Sequence, residues 1–394
     1  MPVTPQPGEV EQKAIRILVL TSSTGTGHDR RAYAFKEWVA QSHDAEVSVR
    51  VEHILENSSA ITRFGVWVYN VIQLRCPWLH NIYWWVAEGF GILQGAGLNA
   101  GGTYYRQCLE TFKPTLIFSV HDSTNRGYFE TARAVLGPQV KCVTYCGEYS
   151  GGFGYSRIWY SAAVDRFYSR NREAEAHAKS LGLQAEKSRI FSNFLPPAFF
   201  EHAAIQETPR DIRTKTLGLS PDRFTLFLAT GGQGAANHIH LLDALDVMAD
   251  RLQIIVVCGR NQKLYDATLA WKATHRLTLH IEGYSTRMPE LLTASDVVIA
   301  RGGANLTTEA LYMGCPILFE ARGGLMPQER LTVNYFCKKG AGKFAMTNRG
   351  LIHQLREWLD RPDEFAILRE RFRALRQDDH PDQFINELVA LARI

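Results

Sequence analysis

Several patterns that would decide a protein's class are missing from this chain of 394 residues. Its seven cysteines, Cys76, Cys108, Cys142, Cys146, Cys258, Cys315 and Cys337, are odd in number and form no C-x-x-C pair. Several sit inside apolar runs, so they are expected to be reduced thiols packed as small hydrophobes. No uninterrupted run of about 18 strongly apolar residues occurs, so no helix is predicted to span a bilayer. Residues Met1 to Glu11 lack the basic and apolar regions of a signal peptide. Together these absences predict a cytoplasmic protein, with any membrane contact peripheral on the inner face. No dense Lys/Arg stripe interleaved with aromatics is present, which argues against a nucleic-acid partner. The net charge of +4 is compatible with weak attraction to anionic lipid headgroups. No Asp-x-Asp element demands a carboxylate-held divalent ion, so neither metal nor cofactor is predicted.

What is present is globular. Hydrophobic residues make up 45% and charged residues 21%, and the length allows two domains with separate cores. Short β-branched runs alternate with amphipathic segments, the sequence form of βα units around a parallel sheet. In the first half, strands are predicted at 15–21, 47–51, 115–120, 140–145 and 166–169, with a helix over 29–40. Between about 62 and 105 the pattern changes to two or three helices crowded with aromatics. Prolines at 196, 197 and 209 mark 193–210 as a linker. A second βα series follows, with strands at 225–229, 253–258, 277–281, 297–300 and 317–319. Helices at 362–376 and 381–393 close the chain. The expected fold is α/β, two doubly wound domains facing across a cleft. Residues 1–205 form the first domain and 206–375 the second, with 376–394 a helix returning to the first. Ligands in such folds bind at the carboxyl ends of the strands.

Three loops carry chemistry. Thr21-Ser22-Ser23-Thr24-Gly25-Thr26-Gly27-His28 follows a strand and opens a helix. A dinucleotide fingerprint needs a third glycine where Arg30 stands, and a P-loop needs Gly-Lys-Ser/Thr, so both are excluded. What remains is a turn presenting one imidazole at the cleft, either a base titrating near neutrality or a packed, capping histidine. Thr230-Gly231-Gly232-Gln233-Gly234 repeats the strand–turn–helix form, and backbone donors there suit a diphosphate. The third succession runs from Gly283-Tyr284 through Met288-Pro289-Glu290 and Arg301-Gly302-Gly303-Ala304 to Glu309. Beyond it lie Gly314-Cys315-Pro316 and Pro327-Gln328-Glu329. Glu309, beneath a glycine loop, can accept both hydroxyls of a ribose, or serve the helix dipole alone.

This order of motifs resembles the donor-binding domain of glycosyltransferase family 28. The Gly27-His28 turn and Phe118-Ser119-Val120-His121 are similar to its monogalactosyldiacylglycerol synthase and diacylglycerol glucosyltransferase branch. The likeness spans about residues 15 to 360. It implies the GT-B fold and a hexose transfer, with inversion, from a UDP-hexose to an acceptor hydroxyl, the acceptor a lipid such as diacylglycerol. It assigns Gly231, Gly232, Gln233, Gly234, Arg301, Gly302, Gly303 and Ala304 to the phosphates. Main chain near Tyr284 holds the uracil, Met288 lies on the donor side, Glu309 takes the ribose, and Gln328 and Glu329 take the sugar. His28 is the leading base and His121 a second candidate. Where the branch carries a Thr-Asp-Leu-like element, Cys146-Gly147-Glu148-Tyr149 stands, and Glu148 is the candidate replacement carboxylate. Gly25, Thr26, Gly27, Trp84 and Trp85 are assigned to the acceptor side. The aromatic stretch is either an acceptor or membrane entrance or simply core. Rival readings are a UDP-N-acetylglucosamine 2-epimerase-like enzyme, a transferase to a non-lipid acceptor, and a non-catalytic nucleotide-sugar binder.

Overall fold

The structure is a computed structural model that describes residues 15–25, 27–43, 46–75, 79–95, 102–229 and 238–393. Thr26 and the turn containing Gly231, Gly232, Gln233 and Gly234 lie outside these residues.

Two six-stranded sheets, parallel throughout, organise the chain. The first contains β1 (Ile15–Thr21), β2 (Val47–His53), β3 (Leu116–Ser119), β4 (Lys141–Cys146), β5 (Arg166–Ser169) and β6 (Ser188–Ile190), in the order β2-β1-β3-β4-β5-β6. The second contains β7 (Phe224–Ala229), β8 (Leu252–Val257), β9 (Thr278–Glu282), β10 (Val297–Ala300), β11 (Ile317–Glu320) and β12 (Gly342–Ala345), ordered β12-β11-β10-β7-β8-β9. Each order reverses once, between β1 and β3 and between β7 and β10, and a doubly wound sheet opens a crevice at such a point.

Both faces of each sheet are covered, which is why the strands read as continuous apolar runs. In β1, Ile15, Ile17 and Val19 enter one core while Leu18 and Leu20 enter the other. Phe227 and Ala229 of β7 part from Leu226 and Leu228 in the same way. Each such buried side chain contributes roughly 1.5–3 kcal/mol.

The aromatic stretch forms the helices Ala60–Arg75, His80–Gly95 and Gly102–Phe112. Residues 193–210, read from sequence as a linker, contain a helix, Pro197–Ile205. Pro197 stands in its first turn, where the missing N–H costs nothing, so the proline pair starts a helix as well as ending extended chain. The last helix, Pro381–Arg393, lies against the first sheet. Its Phe384 ring meets Phe35, Phe118, Tyr145, Tyr168, Phe191 and Phe194 with centroids 4.6–6.4 Å away. No helix among the described residues is long and apolar enough to cross a membrane.

Because Phe384 fills the centre of an aromatic cluster, Phe384→Ala is expected to destabilise the protein by about 3–5 kcal/mol. A urea titration with an unchanged midpoint would contradict that packing.

Candidate functional site

The cleft is closed at its floor by two helix beginnings. The Gly27–Ser42 helix starts at the carboxyl end of β1, and the Ala304–Met313 helix starts at the carboxyl end of β10. Asn305 joins them: its Nδ2 donates to the Gly27 carbonyl at 2.7 Å, and its Oδ1 accepts from Arg31 Nε at 3.1 Å. One turn on, Thr308 meets the Tyr149 hydroxyl at 2.9 Å and accepts from Arg170 at 2.5 Å. The Glu309 carboxylate is buried and forms an ion pair with Arg30 of the opposite domain. Its second oxygen has no hydrogen-bond partner among the described residues. Burial raises the Glu309 pKa while the Arg30 charge opposes the rise.

Two cavities meet above this floor. One, of about 260 Å³, is lined from the second domain by Tyr284, Met288, Arg301, Gly302, Gly303, Ala304, Glu309, Gln328 and Glu329, and from the first by Gly25, Gly27 and Arg30 among others. The other, of about 420 Å³, is mostly apolar and runs under the helical insertion past Ile61, Val66, Tyr83 and Trp84. Thr24, His28, Tyr69, Glu148 and Gln328 line both.

His28 stands at that junction. Its Nδ1 lies 2.7 Å from the Val120 carbonyl, so Nδ1 carries the proton and Nε2 the lone pair. No hydrogen bond to Nε2 is present among the described residues. Burial first, then the neighbouring His121 and the Arg31 charge, lower its pKa to about 3, so the ring is neutral near pH 7. His121 differs. Its Nε2 is 2.7 Å from Thr24 Oγ1, and its Nδ1 accepts from the Ser123 amide at 3.1 Å beside Asp122. Both nitrogens are engaged, and the ring packs on His28 with centroids 4.2 Å apart.

Burial raises the Glu148 carboxyl to about 7, opposed by Arg31 and Arg170 and reinforced by the Asp122 charge. Its loop is held by two glycines. A side chain at Gly147 would begin 2.4 Å from the Arg31 guanidinium. One at Gly154, where φ is +105°, would begin 2.1 Å from the Pro327 carbonyl. The loop thus rests on the start of the Pro327–Lys338 helix, which carries Gln328 and Glu329.

Not every assigned residue is free for a ligand. Glu329 is held by Arg301 at 3.1 Å and by the Met326 amide at 2.9 Å. Arg301 also donates to the Arg322 and Gly324 carbonyls. Trp84 lines the larger cavity, whereas Trp85 lies outside its lining and is 63% exposed. Arg30, Arg31, Tyr69, His80 and Asn305 carry much of the site's geometry, yet sequence reading assigned none of them a role. Arg30 had entered only as the residue that spoils a dinucleotide fingerprint.

Comparisons with known proteins agree with this architecture. Residues 225–357 match the glycosyltransferase family 28 C-terminal domain. A probable chloroplastic monogalactosyldiacylglycerol synthase of Glycine max is 25% identical, over 97% of this chain and 72% of its own length. Monogalactosyldiacylglycerol synthase 1 of Arabidopsis thaliana is 23% identical, over 96% and 71%. Among solved structures, MurG of Acinetobacter baumannii superposes with a TM-score of 0.62 at 14% identity, covering 95% of this chain and 99% of its own. Anabaena HepE, solved with UDP, gives 0.54 at 14% identity, covering 95% and 98%.

The floor has a measurable consequence. Asn305→Ala removes both of its cross-cleft hydrogen bonds and leaves the Arg31 guanidinium short of a partner. A loss of roughly 1–3 kcal/mol in chemical denaturation is expected, and an unaltered unfolding midpoint would show that these bonds do not hold the domains. The two parallel sheets, the match of residues 225–357 to the family 28 C-terminal domain and the relatives aligned over nearly all of this chain together show a glycosyltransferase of GT-B fold.

Proposed function

We propose that the protein moves a hexose from a UDP-sugar to a hydroxyl of a lipid acceptor, with inversion at the anomeric carbon. The observation that carries this reading is the junction, at His28 and Glu148, of a cavity lined by Arg30, Arg301 and Glu309 with one that runs under the aromatic insertion helices. HepE was solved with UDP, and the relatives above are synthases of a galactolipid, which supports a nucleotide-sugar on one side and a lipid on the other. An epimerase has no use for an acceptor cavity, so the 420 Å³ apolar space favours transfer.

In this reading the uracil lies along Tyr284 and Met288, and the ribose diol takes the Glu309 carboxylate. The phosphates face Gly302, Gly303 and Ala304. Charge growing on the leaving UDP is offset by the start of the Ala304–Met313 helix and by Arg301, without invoking a metal. The acceptor oxygen forms its bond to the anomeric carbon as the bond to phosphate breaks, and its proton passes to His28 Nε2. The diphosphate's charge beside the ring raises the His28 pKa from its low value. An ionised Glu148 steadies the imidazolium that forms. His121, with both nitrogens engaged, orients Thr24 and the His28 ring rather than taking the proton. Gln328 reads the sugar, while Glu329 acts through the Arg301 it holds.

Ile61 and Phe64, which line the larger cavity, stand exposed on the insertion helices, as do Trp67, Ile82 and Trp85. Rings with an apolar body and a polar edge suit a membrane interface, so this exposed set is the proposed peripheral contact through which the acceptor enters.

The test is a panel of UDP-hexoses against diacylglycerol in vesicles, with products identified by mass. A glycosylated lipid is expected, with kcat/KM rising with pH through about 7 as Glu148 ionises. Glu148→Gln should flatten that rise. His28→Ala should lower turnover about 10²–10⁴-fold with UDP binding retained. Near-parental turnover in His28→Ala would sink the base assignment.

A further inference from the structure

Where the cavities join, side chains from both domains form an incomplete polar set. Gln328 Nε2 donates to the Tyr69 hydroxyl at 2.8 Å, bridging the Pro327–Lys338 helix and the helical insertion. The other end of that amide, Oε1, is buried and has no hydrogen-bond partner among the described residues. His80 stands edge-on to the Tyr69 ring, with centroids 4.7 Å apart and an interplanar angle of 74°. The residue is 1% exposed, and its Nε2 is likewise buried without a partner. Tyr69 and Gln328 line both cavities, and His80 lines the larger one.

Each unpaired buried polar atom costs roughly 1–3 kcal/mol, so two of them at one junction point to a ligand group that pairs them. The chemistry of that group follows from the atoms. Burial, then the Arg301 charge, lowers the His80 pKa to about 4, so its imidazole is neutral near pH 7. A neutral imidazole offers one N–H and one lone pair, and Gln328 adds a carbonyl oxygen held in orientation by Tyr69. An alkyl chain would leave both atoms unpaired. Hydroxyls, which donate and accept together, satisfy the set.

We infer that His80, braced by Tyr69 against Gln328, is a sugar-reading residue by which the helical insertion of the first domain selects the hexose epimer. The inference rests on the UDP-sugar reading above and adds a determinant that the second domain does not contain. Tyr69 is a positioning residue in it. A site built to hydrogen-bond a particular hydroxyl rejects the epimer that places it elsewhere, because the site's own polar atoms then stay unpaired.

His80→Phe keeps an aromatic ring against Tyr69 and removes both nitrogens. The test measures kcat/KM for UDP-glucose and UDP-galactose, and the affinity for UDP alone by calorimetry. UDP affinity is expected to stay within about twofold, while the preference between the two epimers falls about tenfold or more. Tyr69→Phe, which releases the Gln328 amide, should shift that preference in the same direction by a smaller factor. His80→Gln retains a hydrogen-bonding side chain and serves if the phenylalanine variant fails to fold; it should keep part of the preference. A folded His80→Phe with the parent's epimer ratio would overturn the inference, as would a parent that accepts both sugars equally. A parent giving no heat with UDP would instead bring down the donor reading on which the inference stands.

Discussion

A buried carboxylate must have a partner, and in this protein the need is met across the cleft. Glu309 sits one turn into the Ala304–Met313 helix and is paired by Arg30 of the other domain. Stranding such a charge would cost several kcal/mol, so the pair holds the two halves together at this spot. Asn305 and Thr308 add hydrogen bonds to Gly27, Arg31, Tyr149 and Arg170 on either side, those from the two arginines charge-assisted. On the proposed reading, donor entry exchanges one partner of Glu309 for another, Arg30 giving way to the ribose hydroxyls. The Arg30 side chain is 35% exposed, so it has solvent to move into.

The floor also sets the electrostatics above it. Arg31, on the same helix as His28, contributes to lowering the His28 pKa and opposes the rise in Glu148. Asp122 does the reverse at both groups, favouring charged His28 and disfavouring charged Glu148. Burial is the largest influence on each and drives each toward its neutral form. His28 is therefore neutral near pH 7, while the Glu148 carboxyl titrates there. An entering diphosphate and the departure of an acceptor proton are the events that change their states.

Much of the fold was legible because parallel strands covered on both faces must read as apolar runs. Ten of the strands stand out that way, as at Ile15–Thr21 and Leu252–Val257. The exceptions are the edge strands Ser188–Ile190 and Gly342–Ala345, too short and too polar to signal themselves. The Pro196–Pro197 pair reads as a break, yet the second proline sits where a helix tolerates it best. At the site, the turns at Gly25 and Gly302 and the helix start beside His28 were readable because turn chemistry is local. Arg30, Asn305 and His80 were not, because their meaning lies in partners hundreds of residues away or in a ring packed on another ring. No spacing rule places Arg30 opposite Glu309. The aromatic stretch was ambiguous for a similar reason. Its rings divide between lining a cavity, as Tyr83 and Trp84 do, and facing solvent, as Trp67 and Trp85 do.

The central claim is that the groove around Glu309 holds a uridine diphosphate by its ribose. Calorimetry of UDP against the parent and Glu309→Ala tests it most directly. The account predicts binding to the parent and an affinity lower by about tenfold or more in the folded variant, the worth of hydrogen bonds to a charged group. No heat from the parent, or equal affinity in the two proteins, would contradict it.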